Sequence, residues 1–145
     1  MKSLLIALFL TAAVGTMSYA QCDKKVTLTS SKTQHLDAAG TLKHADDEKT
    51  TVVFDKSDII VSISGENGDQ QMTGKVKSAT CDWKVPFKEG KTTLNITLTH
   101  EGNGESREFT VIIEGKDGKI SLRAESPEEP DDKIKLDLDK FEEKN

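Results

Sequence analysis

The sequence predicts an all-β domain, an antiparallel meander of about eight strands. Three observations carry this. From Val26 onward apolar residues alternate with polar ones, which is the period of a half-buried strand. Thr, Val and Ile are abundant in those runs, as a pleated surface prefers. Hairpin signals separate the runs at short, regular spacing.

Taken in order, Val26 and Leu28 start the alternation, and the runs Thr51–Phe54 and Asp58–Ile63 read as strands. Ile59, Ile60 and Val61 are consecutive, which predicts cover on both faces of that strand. Between Gln70 and Thr80, Met72, Gly74 and Val76 alternate with Thr73, Lys75 and Lys77, and Gly74 suits a bulge or sharp bend. Cys81, Trp83, Val85 and Phe87 fall on one face if the strand runs on, with Pro86 expected to end it. The sets Leu94/Ile96/Leu98, Phe109/Val111/Ile113, Ile120/Leu122/Ala124 and Ile134/Leu136/Leu138 continue the pattern. Asn67-Gly68 and Asp117-Gly118 are type I′ hairpin signals, and Gly102-Asn103-Gly104, Asp55–Ser57 and Lys88–Gly90 supply further links. Helical candidates are brief: a turn at Ala45–Lys49 and the tail from Lys140. Pro127–Asp132 reads as an acidic loop. Closing such a meander into a small barrel removes its edge strands; a two-sheet β-sandwich is the alternative.

The first twenty residues read as a secretory signal peptide: Lys2, an apolar run from Leu4 to Val14, then a small-residue cut after Ala20. That run is shorter than the ~20 residues a membrane helix needs, so no membrane insertion is expected after its removal. Residues 21–145 then form a single domain with 19 basic and 25 acidic residues, a net charge of −6. Such a surface repels phosphate backbones, so nucleic acid is not an expected partner. Two cysteines in an exported chain predict a Cys22–Cys81 disulfide, with acylation of Cys22 as the alternative; Gln21 fits an acylation signal poorly. The predicted localisation is secreted or periplasmic.

In length, export and strand meander, residues 22–138 resemble the small secreted lipocalin-like (calycin) barrels of unknown role. That resemblance implies a barrel interior able to hold a small apolar ligand. The lipocalin Gly-x-Trp near the first strand is not matched, since the single Trp stands at position 83. No site residue is transferred from the family.

Chemistry-bearing residues are few. There is no G-x-S-x-G, H-E-x-x-H, C-x-x-C or Gly-rich phosphate loop, so neither catalysis nor a cofactor is expected. Trp83 beside Cys81 reads as packing over the disulfide to close one end of the core, with a pocket floored by Trp83 and Phe87 as the sharper reading. Met72, Val76, Trp83, Leu94, Phe109 and Val111 are the candidate ligand-binding residues. His35-Leu36-Asp37 and His44-Ala45-Asp46 share the spacing H-x-D. With Ala38–Thr41 as a four-residue hairpin loop, His35 opposes His44 and residue 37 opposes 42. That would gather two imidazoles and two carboxylates, a set that zinc or copper accepts. An odd loop places the histidines on opposite faces, and a solvated polar hairpin is the commoner outcome. The acidic stretches Asp46–Glu48 and Glu128–Asp132 lack EF-hand spacing, so their calcium signal is unspecific. Asn95-Ile96-Thr97 is a glycosylation sequon that places Asn95 on the solvent face. Together these readings predict an exported, non-catalytic binding protein. Its partner would be a small apolar ligand inside a barrel, or a protein recognised through surface loops, as in an inhibitor domain.

Overall fold

The computed structural model describes residues 22–66 and 68–144. The signal-peptide reading and the Asn67 half of one turn lie outside them. Nine strands follow in chain order: β1 (Lys25–Leu36), β2 (Leu42–Phe54), β3 (Asp58–Gly65), β4 (Gly68–Val85), β5 (Glu89–His100), β6 (Ser106–Lys116), β7 (Lys119–Ser126), β8 (Glu129–Asp137) and β9 (Lys140–Lys144). Each strand from β1 to β7 pairs antiparallel with the next. β8 also pairs with the far edge of β1, through Thr33↔Leu136 and His35↔Ile134. The result is a closed eight-strand ring. After Asp137 the chain kinks and resumes along the same edge of β1 as β9, where Leu28 faces Phe141.

Closure explains how a chain with few aromatics builds a core. Every strand turns alternate residues inward, and Leu28, Ile59, Leu94, Ile96 and Ile113 are fully buried there. The alternation does not run unbroken. In β4 the inward set passes from Met72, Gly74 and Val76 to Ala79, Cys81 and Trp83, so an even series becomes an odd one. The register shift between Val76 and Ser78 supplies the extra residue. β1 makes the same change between Ser30 and Lys32, which returns Thr33 and His35 to the inner face. Gly74 permits close approach: a Cβ there would stand 2.0 Å from the Thr97 carbonyl oxygen on β5.

Five local expectations are corrected. Ala45–Lys49 and Lys140–Lys144 are strand, not helix, because each completes a ladder with β1. Only Pro127 and Glu128 form the acidic turn, and Glu129 already belongs to β8. Ile60 is 40 % exposed, so β3 has one covered face. Val85 is exposed, because the ladder slips after Trp83 and the strand ends ahead of Pro86. The Asp117-Gly118 turn has the expected form, with φ of 54° and 77° inside the Lys116↔Lys119 pair.

One end of the ring is stoppered. The Phe87 backbone takes φ 55°, its side chain is buried, and its ring stacks on Phe141 at 3.7 Å and meets Trp83 at 4.9 Å. Trp83 Nε1 donates to Thr92 Oγ1 at 2.8 Å, and that hydroxyl lies 3.4 Å from Cys81 Sγ. Cys81 is bonded to Cys22, with the Cα atoms 5.8 Å apart. The disulfide thus ties the start of the chain to the stoppered end of β4 and implies an oxidising environment.

Candidate functional site: the open mouth of the barrel

The other end of the ring is built differently. Here the β1–β2 hairpin and the ends of β3, β4, β5, β6, β7 and β8 surround an apolar cavity of about 90 Å³. Its walls include Ile63, Met72, Leu98, Phe109, Ala124 and Ile134, with Val111, Leu122 and Leu136 deeper in. Two threonines, Thr33 and Thr50, are the polar residues in the lining, and their hydroxyls lie 3.3 Å apart, bonded to each other. The cavity surface is therefore apolar. Among the described residues three open grooves are larger, about 760, 570 and 510 Å³, but charged and polar side chains such as Glu114, Lys116, Lys135, Lys75, Asp69 and Glu101 line them.

Of the ligand-binding residues expected from the sequence, Met72, Phe109 and Val111 line this cavity. Val76 and Leu94 pack in the core and do not reach it. Trp83 belongs to the stopper at the opposite end of β4, so Trp83 and Phe87 form a plug and not the floor of a pocket. Ile63 and Ile134 were absent from the expected set. Their positions on the inner face of β3 and β8 were legible, but not which rung of the barrel would be left underfilled.

Beyond the cavity the inner face of the long β1–β2 hairpin continues as a polar wall. His35 pairs directly with His44. Their rings stack at 4.3 Å, 12° from parallel. Asp46 Oδ2 lies 3.4 Å from His35 Nε2 and 3.7 Å from His44 Nε2. On the far side His35 Nδ1 is 3.1 Å from Asp132 Oδ1 of β8. Asp37, the fourth residue expected here, does not join them. Leu36 pairs with Leu42, so the loop spans the odd run 37–41, and the Asp37 carboxylate accepts from the Ala39 and Thr41 amides. The register shift between His35 and Leu36 offsets the odd loop and keeps His35 opposite His44, which corrects the expectation that such a loop parts them. Asp132 stands nearby instead. Sequence spacing could not find it, because its place depends on β8 closing against β1.

Other charged groups have structural partners. Arg107 reaches Glu128 and Glu129, which accounts for part of the second acidic stretch. Asn95 is exposed on the outer wall, bonded to Ser78 and Thr110. Asp55 Oδ1 accepts from the Asp58 and Ser57 amides across the β2–β3 turn. Those two bonds, the Asp58 one first, hold its carboxyl below the usual carboxylate range.

No protein-family model, curated protein or solved structure matches this chain.

Proposed function

We propose that the protein is an exported, non-catalytic binding barrel that takes a small apolar group through its open mouth. The observation that carries this reading is the apolar cavity at the one end of the ring that the aromatic stopper does not fill. Size limits the occupant. Pockets for drug-sized ligands run to roughly 300–1,000 Å³, and an engineered cavity of roughly 150 Å³ holds benzene. A space of about 90 Å³ accepts a chain end or a compact group of a few carbons, with the rest of the ligand outside. The lipocalin-like resemblance points the same way, and the closed eight-strand meander is compatible with it. Export to the periplasm or the medium is supported by the disulfide and by the N-terminal apolar segment. The non-catalytic reading is supported by the oxidised state of both cysteines, which removes a thiolate nucleophile.

Calorimetric titration with n-alkyl alcohols of increasing length tests it. Affinity should rise with the first few methylenes and then level off as the chain leaves the cavity. Ala124→Leu places a larger side chain in the cavity and should abolish binding while keeping the barrel folded. Equal binding by both forms would remove the cavity as the site. A second reading, docking of a protein partner on the mouth loops, is favoured by Leu42, which is 56 % exposed where the β1–β2 hairpin turns. Leu42→Asp separates the two: it should leave alcohol binding intact and weaken only a protein partner.

A further inference from the structure

We propose that His35, His44 and Asp46 form a binding site for a divalent transition-metal ion of the zinc or copper class, with Asp132 orienting His35. It goes beyond the apolar-ligand reading and does not depend on it.

An ionised carboxylate only accepts hydrogen bonds, so the 3.1 Å contact with Asp132 makes His35 Nδ1 the donor. In the neutral ring Nε2 then carries a lone pair. That lone pair lies 3.4 Å from Asp46 Oδ2, another acceptor, and His44 Nε2 lies 3.7 Å from the same oxygen. Three possible ligand atoms, all within 4.8 Å of one another, gather at one place, and the exposed His44 ring has to turn out of the stack to aim its lone pair at a shared ion.

The distances favour a metal ion. At 3.4 and 3.7 Å the His–Asp contacts exceed the usual ~2.7–3.2 Å of an N–H···O bond. Bonds of about 2.0–2.1 Å from zinc to nitrogen and oxygen give a tetrahedral shell edges of about 3.3 Å. Two of the three edges, 3.4 and 3.7 Å, are near that length, and the third is no longer than 4.8 Å. The hydrogen bond from His35 Nδ1 to Asp132 is the partner a metal-bound imidazole characteristically makes, fixing its tautomer and ring plane. Imidazole nitrogen with one carboxylate suits zinc and copper and disfavours calcium and magnesium, which prefer oxygen. Three protein ligands leave a fourth position for water or an outside group. His44 is 57 % exposed and Asp46 44 %, so an ion can enter from solvent.

The test is calorimetric titration of the tag-free protein with Zn²⁺ and separately with Cu²⁺, in high calcium. One equivalent of each should bind, copper more tightly, as the Irving–Williams order requires. His35→Ala and His44→Ala should each weaken zinc by at least about 100-fold, and Asp132→Asn by about 10–100-fold. His100→Ala, which alters the third histidine, should change nothing. His44 is exposed, so its variant keeps the fold even if His35→Ala does not. The Cu²⁺ electron paramagnetic resonance spectrum should show two nitrogen ligands in the native protein and one in His44→Ala. Zinc affinity unchanged in folded His44→Ala, no binding of either ion by the native protein, or displacement of zinc by calcium would overturn the proposal.

Discussion

At the scale of single residues, two positions hold more of the structure than their size suggests. Asp55 is only half-buried, yet its carboxylate collects two amides and fixes the β2–β3 turn. Asp55→Ala should cost about 1 kcal/mol in urea unfolding at neutral pH. The pH dependence follows from its lowered pKa. The contribution is complete above the unfolded carboxyl value of about 3.9 and disappears as pH falls through the lower folded value. The gap between native protein and Asp55→Ala should therefore narrow in acid. A gap that widened there would contradict this role. Gly115 is the second. A Cβ there would lie 2.8 Å from Trp83 Cζ3, so Gly115→Ala forces the indole to move. The expected cost is about 1–3 kcal/mol, seen together with a shifted Trp83 emission maximum. Neither role was visible beforehand. The Asp55–Ser57 link was legible as a turn, but which carboxylate would cap it depends on backbone geometry. Gly115 sits in an ordinary alternating run, and only the Trp83 ring packed over it explains why glycine is there.

At the scale of elements, β9 is the piece that the sequence hid. The segment Lys140–Lys144 is charged except for Phe141, which suggested a helical tail. It is a strand because the lower half of β1 would otherwise lack a partner on that edge, and the row Lys25–Thr29 recruits it. Phe141 then completes the stopper against Phe87. Phe141→Ala should cost about 2 kcal/mol, less than the full penalty for a buried Phe because the ring is only partly covered. Thermal unfolding checks this, and no change in melting temperature would show that β9 is dispensable. Removing the disulfide by a Cys22→Ser, Cys81→Ser double change loosens the same end by another route. It should cost about 2–4 kcal/mol. The bulges in β1 and β4 are elements of a different kind. The β4 bulge could be read from the parity change between Val76 and Ala79, since inward residues cannot pass from even to odd without an insertion. The β1 bulge was concealed by the polar run Ser30–Gln34, where no apolar pair marks the phase. His35 owes its inward direction to that bulge and its place opposite His44 to the second register shift beside Leu36, so strand period alone gives neither the shared face nor the pairing.

At the scale of the whole molecule, the ring has two unlike ends. One is closed by aromatic rings and a disulfide, the other is apolar within and polar at its rim. The meander, the turns and most of the inner face were legible, because period two and hairpin chemistry are local signals. Closure was expected because a meander has to dispose of its edges, but its register was not legible, since pairing of β8 with β1 joins residues about a hundred positions apart. That closure delivers Asp132 to His35 and defines the cavity. A filled mouth should make the barrel more stable: Ala124→Leu is expected to raise the unfolding free energy by about 0.5–2 kcal/mol. A drop would mean that the cavity is too tight for the added carbons.

The most direct test of the central claim is a methyl-resolved NMR titration with a short n-alkyl alcohol. Binding in the mouth gives saturable shifts at Ile63, Met72, Leu98 and Ile134, with Val26 and Ile113 near the stopper unmoved. Shifts centred on the stoppered end, or none that saturate, would contradict it.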